Sequence, residues 1–502
     1  MLSPATRSKY TATIGIECHV QLKTATKLFA AVGNDAREAE PNTLVSPICF
    51  GLPGTLPVLN KEAVHLAMRA AFALGTEPQK FSIFERKHYF YPDLPMGYQI
   101  SQLHQPIIVG GTVEGETADG EKFTVRINRV QIEADAGKST HPAGKDYSLV
   151  DLNRAGTPLL EIVSEADMHT AAQAKAYTRE LYLRMRYADV SDCNLYYGNM
   201  RFDVNVSVSA TSEWGTRTET KNINSFKAVE KTVEYEITRQ IELLEKGEKV
   251  TQETRGWDDA KQRTFRQRTK EDAEDYRYMP DPDLPPIELS DDQIAVVKDE
   301  MPVLPAEWRT RLESLGLDKA AMELLLEAQL DDASVDYLSL IEEVINDKDF
   351  AKQLANWFVN LEVPLRHDDQ AKLNEELTNQ GRLAIYRDVA ALVKDGMLSS
   401  SNAKQLITDA LTAQKQIADI TEYAKQHNLI QESDAGALEA IAKKVIDENP
   451  KAAEDVKNGE MKAIGFLVGQ VMKASQGRAN PALAADLIKK QLGVQEIQEG
   501  NV

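Results

Sequence analysis

The sequence predicts an α+β protein, in which a first part mixes strands with a few helices and a second part is helical. Up to about residue 293, short runs alternate apolar and polar residues, as half-buried strands do. From about residue 294, apolar residues recur at helical spacing, as in DKAAMELLLEAQ and KQLANWFVNLEV. A chain of 502 residues is also too long for one ordinary hydrophobic core, so we expect several domains.

The strand predictions rest on side chains that alternate between the two faces of a sheet. In TATIGIECHVQL, alternate apolar residues from Ile14 to Leu22 share one face, whereas Glu17 and His19 share the other. The first face is interpreted as core, and the second as a polar surface with two possible metal ligands. Two further segments show the same alternation, KFTVRINRVQIEAD and MRFDVNVSVSA.

Three helices are predicted among these strands, and each has an end signal in the sequence. Gly75 and Gly247 can end the first and the third helix, and Thr170 can cap the second. The predicted helices cover residues 62–74, 170–187 and 226–246.

Two breaks divide the rest of the chain. The segment DYRYMPDPDLPPIEL, residues 275–289, contains four prolines, which favour an ordered linker over a helix or a central strand. Near MLSSSNAKQL, residues 397–406, serines and Asn402 can cap a new helix. We therefore predict three domains, at residues 1–293, 294–401 and 402–502.

The last domain has the clearest helical pattern. An apolar stripe at helical spacing predicts a helix that ends near Gly477, and the stripe is interpreted as core packing. Asn480 can cap a final helix, in which Lys489 and Lys490 complement the helix dipole of the last turn. The stripe consists of Ile464, Leu467, Val468, Val471 and Met472.

Composition limits the compartment and the partners. The net charge is −20, whereas a simple phosphate binder normally has a basic excess, so any nucleic-acid contact needs a local patch or a partner. The three cysteines form no CxxC pair, which favours a reducing compartment without disulfides. We expect a cytoplasmic protein, because the start lacks a signal-peptide pattern and the apolar stretches are too short to span a bilayer.

Charged residues two positions apart recur in several predicted strands. One such pair is more often a surface feature than a site, but a curved sheet that repeats it could gather carboxylates around a cation. Carboxylates suit Mg²⁺, and a histidine among them also allows Mn²⁺. The alternative is a solvated sheet face with alternating charges. The pairs beyond Glu17 and His19 are Glu133 with Asp135, Arg201 with Asp203, and Glu219 with Lys221.

Residues 136–140, AGKST, are similar to the end of a phosphate-binding P-loop. That motif needs a glycine where this chain has Ile132, so Lys138 is not a Walker lysine, although it stays a candidate for phosphate contact. We find neither a cysteine in a pattern typical of a nucleophile nor a glycine- and serine-rich amidase signature. If the protein performs amide chemistry, the nitrogen must come from elsewhere.

Several long segments together resemble the B subunit of the tRNA-dependent amidotransferase GatCAB. They are IGIECHVQL, YFYPDLPMGYQISQ, DLNRAGTPLLEIVSE, MRFDVNVSV, TETKNINSFKAVE, DYRYMPDPDLPP and GFLVGQVMKASQGRANPALAADLI. The resemblance covers nearly the whole chain. It implies an N-terminal cradle domain with an antiparallel sheet, a helical middle domain and a helical tail similar to YqeY proteins.

The resemblance also implies a function, that of an ATP-dependent carbon–nitrogen ligase. A B subunit uses ATP and Mg²⁺ to phosphorylate the side-chain carboxylate of Glu-tRNA(Gln) or Asp-tRNA(Asn), and ammonia then displaces the phosphate. An A subunit releases the ammonia from glutamine, and the pair is stabilised by a small C subunit in a heterotrimer. The tail is expected to bind tRNA outside the acceptor end.

Carried onto this sequence, the resemblance implies five catalytic metal ligands and leaves four basic residues as candidates for phosphate contact. For each basic residue, a plain structural ion pair is an equal alternative. The implied metal ligands are Glu17, His19, Glu133, Asp203 and Glu219. The candidates for phosphate contact are Lys138, Arg154, Arg201 and Lys221.

This chain departs from the family pattern in two places. Many relatives carry a four-cysteine zinc cluster around the segment KLFAAVGNDAREAEPNTLVSPICFG, where this chain keeps Cys49, so we expect no zinc. We expect packing by Phe29, Pro47 and Phe50 to hold this loop instead. In YPDLPxGYQ the family often has lysine where this chain has Met96.

Two other functions stay open on the sequence alone. A self-contained ATP-dependent amide ligase would turn over without any partner. A non-catalytic tRNA-binding scaffold would leave the activity of its complex insensitive to the loss of Glu17 or His19. The archaeal relative that acts on Glu-tRNA alone is less favoured, because no large inserted domain separates the N-terminal and helical parts.

Overall fold

The computed structural model divides the chain into two compact units, Met1–Pro305 and Ala306–Val502. It describes residues 2–269, 276–331, 334–368, 370–414, 417–430, 435–458, 460, 462–475, 479 and 481–494. Among these residues, no helix is both long enough and apolar enough to cross a membrane. The domain boundaries that we predict after residues 293 and 401 stay predictions, although the first falls inside a helix at Asp291–Asp299.

The described part of the first unit contains five helices and sixteen strands. The helices are α1 (Pro4–Arg7), α2 (Lys61–Ala73), α3 (Ala171–Tyr187), α4 (Phe226–Glu245) and α5 (Asp291–Asp299). The strands are β1 (Thr11–Gln21), β2 (Phe81–Ser82), β3 (Glu85–His88), β4 (Tyr98–Ser101), β5 (Ile108–Val109), β6 (Thr112–Glu116), β7 (Lys122–Ala134), β8 (Lys138–Thr140), β9 (Leu149–Asp151), β10 (Pro158–Ser164), β11 (Met200–Ser209), β12 (Thr218–Ile223), β13 (Glu253–Asp258), β14 (Arg263–Thr269), β15 (Met279–Pro280) and β16 (Ile287–Glu288).

Nine strands form one large sheet in the order β14-β13-β12-β11-β1-β10-β7-β5, with β6 also paired to β7. The predicted antiparallel sheet is confirmed for these pairs except β12 and β13, which run parallel. Parallel neighbours need a long crossover connection, and α4 supplies it. The smaller sheet β15-β3-β4 belongs to the same unit.

One face of the large sheet is apolar and belongs to the main core of the unit. On β1, Ile14, Ile16, Cys18 and Val20 are each at most 1% exposed, as the alternation predicts. The same core includes buried side chains of α2, α3 and α4. The opposite face of β1, which carries Glu17 and His19, is therefore free for polar chemistry.

The predicted helix ends are confirmed within a residue or two. The Thr170 side chain accepts a hydrogen bond from the backbone N–H of Gln173, which caps α3. Gly75 and Gly247 follow α2 and α4 with φ values of +71° and +75°, a conformation that favours glycine. Ser225 caps α4, which the sequence analysis did not predict.

The proline-rich segment is not a linker between the units. Its described residues, from Tyr276 on, include β15 and β16, which pair with β3 and β2. Leu284, Ile287 and Leu289 are buried in the main core. Prolines are compatible with such short edge strands, because an edge position leaves one side of the strand without ladder hydrogen bonds.

The second unit is helical, as predicted. In the described residues its elements are α6 (Pro305–Glu313), α7 (Lys319–Asp331), α8 (Tyr337–Glu343), α9 (Lys348–Trp357), a π-helical turn (Phe358–Glu362), α10 (Val363–Arg366), α11 (Asn379–Lys394), α12 (Ser400–Thr412), α13 (Ile420–Gln426), α14 (Ala435–Glu448), α15 (Pro450–Lys457), α16 (Lys462–Ala474) and α17 (Pro481–Leu492). The new helix predicted near residues 397–406 is α12, which Ser399 caps by accepting from the backbone N–H of Asn402.

The last four helices share a core of their own. Leu467 and Val471, from the predicted stripe, are fully buried there, and the other three stripe residues pack against them. Lys489 and Lys490 lie in the last turn of α17, as predicted. The predicted roles of Gly477 and Asn480 lie outside the described residues.

Candidate active site

The polar face of the large sheet borders a cleft of about 370 Å³, here called the acidic cleft. Six carboxylates and four lysine or arginine side chains line it, so it has a formal excess of two negative charges. An excess of that size suits a divalent cation. The predicted site residues that line the acidic cleft are Glu17, His19, Glu133, Arg201, Asp203, Glu219 and Lys221.

Strand register explains why residues so distant in sequence meet here. β1 lies between β10 and β11, and residues directly opposite each other point to the same face. Glu17 is opposite Asp203 on β11, and His19 is opposite Glu161 on β10. Glu219 on β12 is opposite Asn205, the next residue of the same row on β11.

The acidic cleft contains two groups of side chains whose donor atoms could hold a metal ion. Each group has three members, and its donor atoms all lie within 4.8 Å of one another. Both groups mix buried and half-buried side chains, so they are accessible from the cleft. The first group is His19, Glu133 and Glu161, and the second is Glu17, Asp203 and Glu219.

His19 has the properties of a metal ligand. Its Nδ1 atom is buried and has no hydrogen-bond partner among the described residues. Burial, followed by the positive charge of Arg201, lowers the pKa of His19. A lowered pKa keeps the imidazole neutral near pH 7, which is the form that binds a metal ion.

The two glutamates beside His19 have pKa values that are shifted in opposite directions. Glu133 accepts hydrogen bonds from Ser101 Oγ at 2.6 Å and from Gln131 Nε2 at 2.7 Å. Burial is the largest single effect and would raise the pKa of Glu133, but Lys87, His19 and the hydrogen bonds to the carboxylate together lower it. Burial and the nearby charge of Glu133 raise the pKa of Glu161 well above its ordinary value.

The negative charge of the second group is partly balanced by the ammonium group of Lys221. Lys221 Nζ lies 3.0 Å from Asp203 Oδ2 and 3.0 Å from Glu219 Oε1. Asp203 also accepts from the backbone N–H of Asn222 at 2.8 Å. Burial is the largest single effect and opposes ionisation of Asp203, but Lys221, His19 and the backbone N–H of Asn222 together lower the pKa of Asp203. The carboxylate is therefore ionised at neutral pH.

The four candidates for phosphate contact separate into two places. Arg201 and Lys221 line the acidic cleft, whereas Lys138 and Arg154 line a neighbouring cleft of about 600 Å³, here called the second cleft. The guanidinium of Arg201 makes two hydrogen bonds to Asp135, at 3.1 and 3.2 Å. Arg154 Nε lies 3.3 Å from the same carboxylate. Asp135 thus anchors one arginine of each cleft.

Sequence reasoning missed Glu161, Lys87 and Arg217 among the charged residues of the acidic cleft. Glu161 completes the group around His19, and its signal was a single charge inside the apolar run PLLEIVS. Lys87 on β3 has no comparable signal, because it reaches the cleft from the smaller sheet. Burial would lower the pKa of Lys87, but Glu133 and Glu161 raise it, so the side chain stays cationic.

The loop in which we expect no zinc is held partly as predicted. Phe29 is buried and packs edge-on against Phe84, with ring centroids 5.4 Å apart. The prediction was wrong for Pro47 and Phe50, which are exposed. Instead, the buried Lys27 amine lies 3.5 Å from the Cys49 sulfur. A buried ion needs partners, and this contact supplies one inside the loop.

Comparisons with known proteins cover almost the whole chain. A family model described as the GatB/GatE catalytic domain matches residues 12–295, and a model described as the GatB domain matches residues 339–492. A protein of Lachnospira eligens, named as the B subunit of an aspartyl/glutamyl-tRNA(Asn/Gln) amidotransferase, is 40% identical over 96% of this chain and 99% of its own length. Proteins of the same name from Carboxydothermus hydrogenoformans and Thermoanaerobacter pseudethanolicus are 42% and 43% identical, with the same coverage.

Proposed function

This chain belongs to the GatB family of tRNA amidotransferase subunits, and from that premise we propose that its acidic cleft is where the carboxylate of Glu-tRNA(Gln) or Asp-tRNA(Asn) is activated. The protein is a ligase subunit of aminoacyl-tRNA amidation. One observation carries the assignment of the site: two groups of metal-ligating side chains face one cleft from one sheet. ATP and Mg²⁺ are the proposed cosubstrate and cofactor.

The proposed reaction has two steps. First, a side-chain carboxylate oxygen of the aminoacyl-tRNA attacks the γ-phosphorus of ATP, and ADP leaves with the electrons of the broken bond. This converts a carboxylate, which is a poor acceptor, into an acyl phosphate with a good leaving group. Ammonia then attacks the acyl carbon, inorganic phosphate leaves, and a proton is released as the amide forms.

The residues present fit Mg²⁺. The carboxylates of Glu17, Asp203 and Glu219 supply hard oxygen donors, and His19 with Glu133 and Glu161 supplies a second, mixed group. Mg²⁺ bound there would neutralise charge on the phosphates during transfer. The orphaned Nδ1 of His19 supports this assignment, because a buried nitrogen without a partner costs free energy unless a ligand satisfies it.

In this proposal, the basic residues of the acidic cleft balance the phosphate charge that Mg²⁺ does not neutralise. Arg201, fixed by Asp135, and Lys221, between two carboxylates, are positioned to contact phosphate oxygens without moving far. Lys87 on β3 adds a third cation to the lining of the acidic cleft. Fixed positive groups stabilise the charge that accumulates in phosphoryl transfer.

The ammonia comes, in this proposal, from a glutamine-hydrolysing A subunit, with a C subunit completing a heterotrimer in the cytoplasm. The cysteines of this chain support an outside source of nitrogen. Cys18, Cys49 and Cys193 are all buried. Burial raises the pKa of Cys18 and raises the pKa of Cys193 to about 12, which leaves little thiolate for nucleophilic attack.

The test is amidation of Glu-tRNA and of Asp-tRNA by the complex, with ammonium salt as nitrogen donor and with ATP. We expect product that requires Mg²⁺ and that His19→Ala reduces about 100-fold, with no loss of folding by circular dichroism. His65→Ala is the matched control, because this half-buried histidine lies on α2, outside the acidic cleft. Normal activity of His19→Ala would refute the metal assignment and favour a scaffold, and turnover by the isolated chain would favour a self-contained ligase.

A further inference from the structure

The proline-rich segment brings a tyrosine to the acidic cleft, and the proposed chemistry leaves this residue without a role. We infer that Tyr276, together with Tyr89, screens the acidic cleft from bulk water, so that ammonia and not water reacts with the acyl phosphate. This inference rests on the proposed function and adds residues that couple the consumption of ATP to the formation of the amide.

Backbone pairing fixes the place where the two segments that carry these tyrosines meet. β15 pairs with β3, and Met279 lies opposite Arg86 in this register. Just before β15, the carbonyl oxygen of Tyr276 accepts a hydrogen bond from the backbone N–H of His88 at 2.8 Å. Tyr276 is therefore held beside Tyr89, which follows β3, although the two residues are far apart in the sequence.

Five aromatic rings form a continuous row here, called the aromatic row. The rings are, in order, those of Tyr91, Tyr89, Tyr276, Tyr278 and His104. Neighbouring ring centroids lie 6.0 to 6.4 Å apart, and neighbouring planes meet at angles between 66° and 89°. Distances and angles in this range are typical of packed aromatic pairs. The row therefore presents a largely apolar surface, which interacts poorly with water.

The middle of the aromatic row borders the site of the proposed chemistry. Tyr89 and Tyr276 line the acidic cleft, and both are half-buried. Burial raises the pKa of Tyr89, so its hydroxyl stays protonated at neutral pH and donates to Gln99 Oε1 at 3.2 Å. Gln99 Nε2 in turn donates to Glu133 Oε2 at 3.2 Å. These hydrogen bonds connect the aromatic row to a proposed metal ligand and hold it against the cleft.

The aromatic row also flanks Lys87, a cation of the acidic cleft. Lys87 Nζ lies 4.9 Å from the ring centroid of Tyr276 and 5.9 Å from that of Tyr89, within the range of cation–π contacts. Arg201 and Lys221 have carboxylate partners, whereas Lys87 has no ion pair with any residue that the structure describes. Its ammonium group is therefore available to a phosphate, and the rings beside it lower the local dielectric constant, which strengthens that attraction.

The acyl phosphate needs such a screen because water and ammonia attack the same carbon. When water attacks, its oxygen joins the acyl carbon, the bond from that carbon to the phosphate oxygen breaks, and inorganic phosphate leaves. The side-chain carboxylate is regenerated, so ATP is hydrolysed and no amide forms. Bulk water is far more concentrated than ammonia, and its exclusion from an active site prevents the hydrolysis of reactive intermediates.

The test measures the ratio of ADP to amide that the complex forms with ammonium salt as nitrogen donor. At low ammonium, Tyr276→Ala should raise this ratio about three-fold or more above wild type, because water reaches the acyl phosphate. Saturating ammonium should bring the ratio back towards that of wild type, because ammonia and water compete for one intermediate. Tyr276→Phe keeps the ring and should keep the wild-type ratio, and Tyr89→Ala, in the other segment, should repeat the rise.

Tyr235→Ala is the matched control, because this half-buried tyrosine of α4 also packs against an aromatic ring but lies outside the acidic cleft. If the rings of Tyr89 and Tyr276 had only a structural role, their loss would reduce ADP and amide together at an unchanged ratio, which would overturn the inference. A rise in the KM for ATP or for aminoacyl-tRNA at an unchanged ratio would make the rings a binding surface and would also overturn it. Absence of Mg²⁺-dependent ADP and amide from wild type would overturn the proposed function, and the inference with it.

Discussion

Replacing Glu161 by glutamine should stabilise the first unit in the absence of metal, although the same change should weaken Mg²⁺-dependent activity. Glu161 lies with His19 and Glu133 in a group whose donor atoms are within 4.8 Å of one another. Burial, and then the charges of Glu133 and Glu17, raise the pKa of Glu161 well above its ordinary value. Glutamine keeps the shape of the side chain and one acceptor oxygen but removes this buried charge.

The magnitude follows from the repulsion between neighbouring carboxylates. Two unit charges 4.8 Å apart repel each other by about 3.5 kcal/mol at an effective dielectric constant of ~20. We therefore expect Glu161→Gln to raise the free energy of unfolding by about 2–4 kcal/mol at pH 7.

The pH dependence has a defined sign. Because the pKa of Glu161 is raised in the folded state, its penalty is absent below the ordinary pKa of a glutamate and grows as the pH rises above that value. The advantage of the glutamine variant should therefore shrink to about 1 kcal/mol or less at pH 5.

Hydrogen exchange of β1 and β10 amides, in EDTA at pH 5 and pH 7, measures this difference within the first unit. Glu242→Gln is the control, because Glu242 is exposed on α4 and the replacement should change stability by less than about 0.5 kcal/mol. A Glu161→Gln variant that is less stable than wild type at both pH values would refute the reasoning, because hydrogen bonding to Glu161 would then outweigh the repulsion.

Two further predictions concern other charges of the first unit. Lys221→Met should lower the free energy of unfolding by about 3–5 kcal/mol in EDTA, because the carboxylates of Asp203 and Glu219 lose their shared cation. Addition of Mg²⁺ should restore part of the lost stability. Thermal unfolding with and without Mg²⁺ measures this, and equal losses in both buffers would contradict a metal site. Burial would raise the pKa of Glu236, but Arg239 and Arg255 help to lower it. The ionised Glu236 side chain therefore stabilises the fold above the ordinary glutamate pKa of ~4.3, and this stabilisation is lost as the pH falls below that value. The deficit of Glu236→Gln in urea unfolding should therefore shrink between pH 5 and pH 3, and a constant deficit would show that shape, not charge, explains it.

Local patterns in the sequence were enough to predict much of the first unit. The alternation in residues 11–22 identified both the buried face of β1 and the polar face with Glu17 and His19. End signals identified α3 and α4 within a residue or two. These features depend only on residues that are close together in the sequence, because backbone geometry alone decides which of their side chains share a face.

The proline-rich segment shows where local reasoning failed. Four prolines exclude a helix and a central strand, so a linker was the simplest interpretation of residues 275–289. In the structure, part of this segment forms the edge strands β15 and β16. Whether such a segment packs depends on the partner strands β3 and β2, which lie far earlier in the chain.

By itself, the sequence determined which residues are on the polar face of each strand, and the resemblance of long segments determined the family. Only the tertiary structure decided which strands are neighbours. That arrangement adds Glu161 to the group around His19, places Lys221 between two carboxylates, and separates Lys138 and Arg154 from the acidic cleft. The physical reason is that strand register is a long-range property, whereas the alternation along one strand is local.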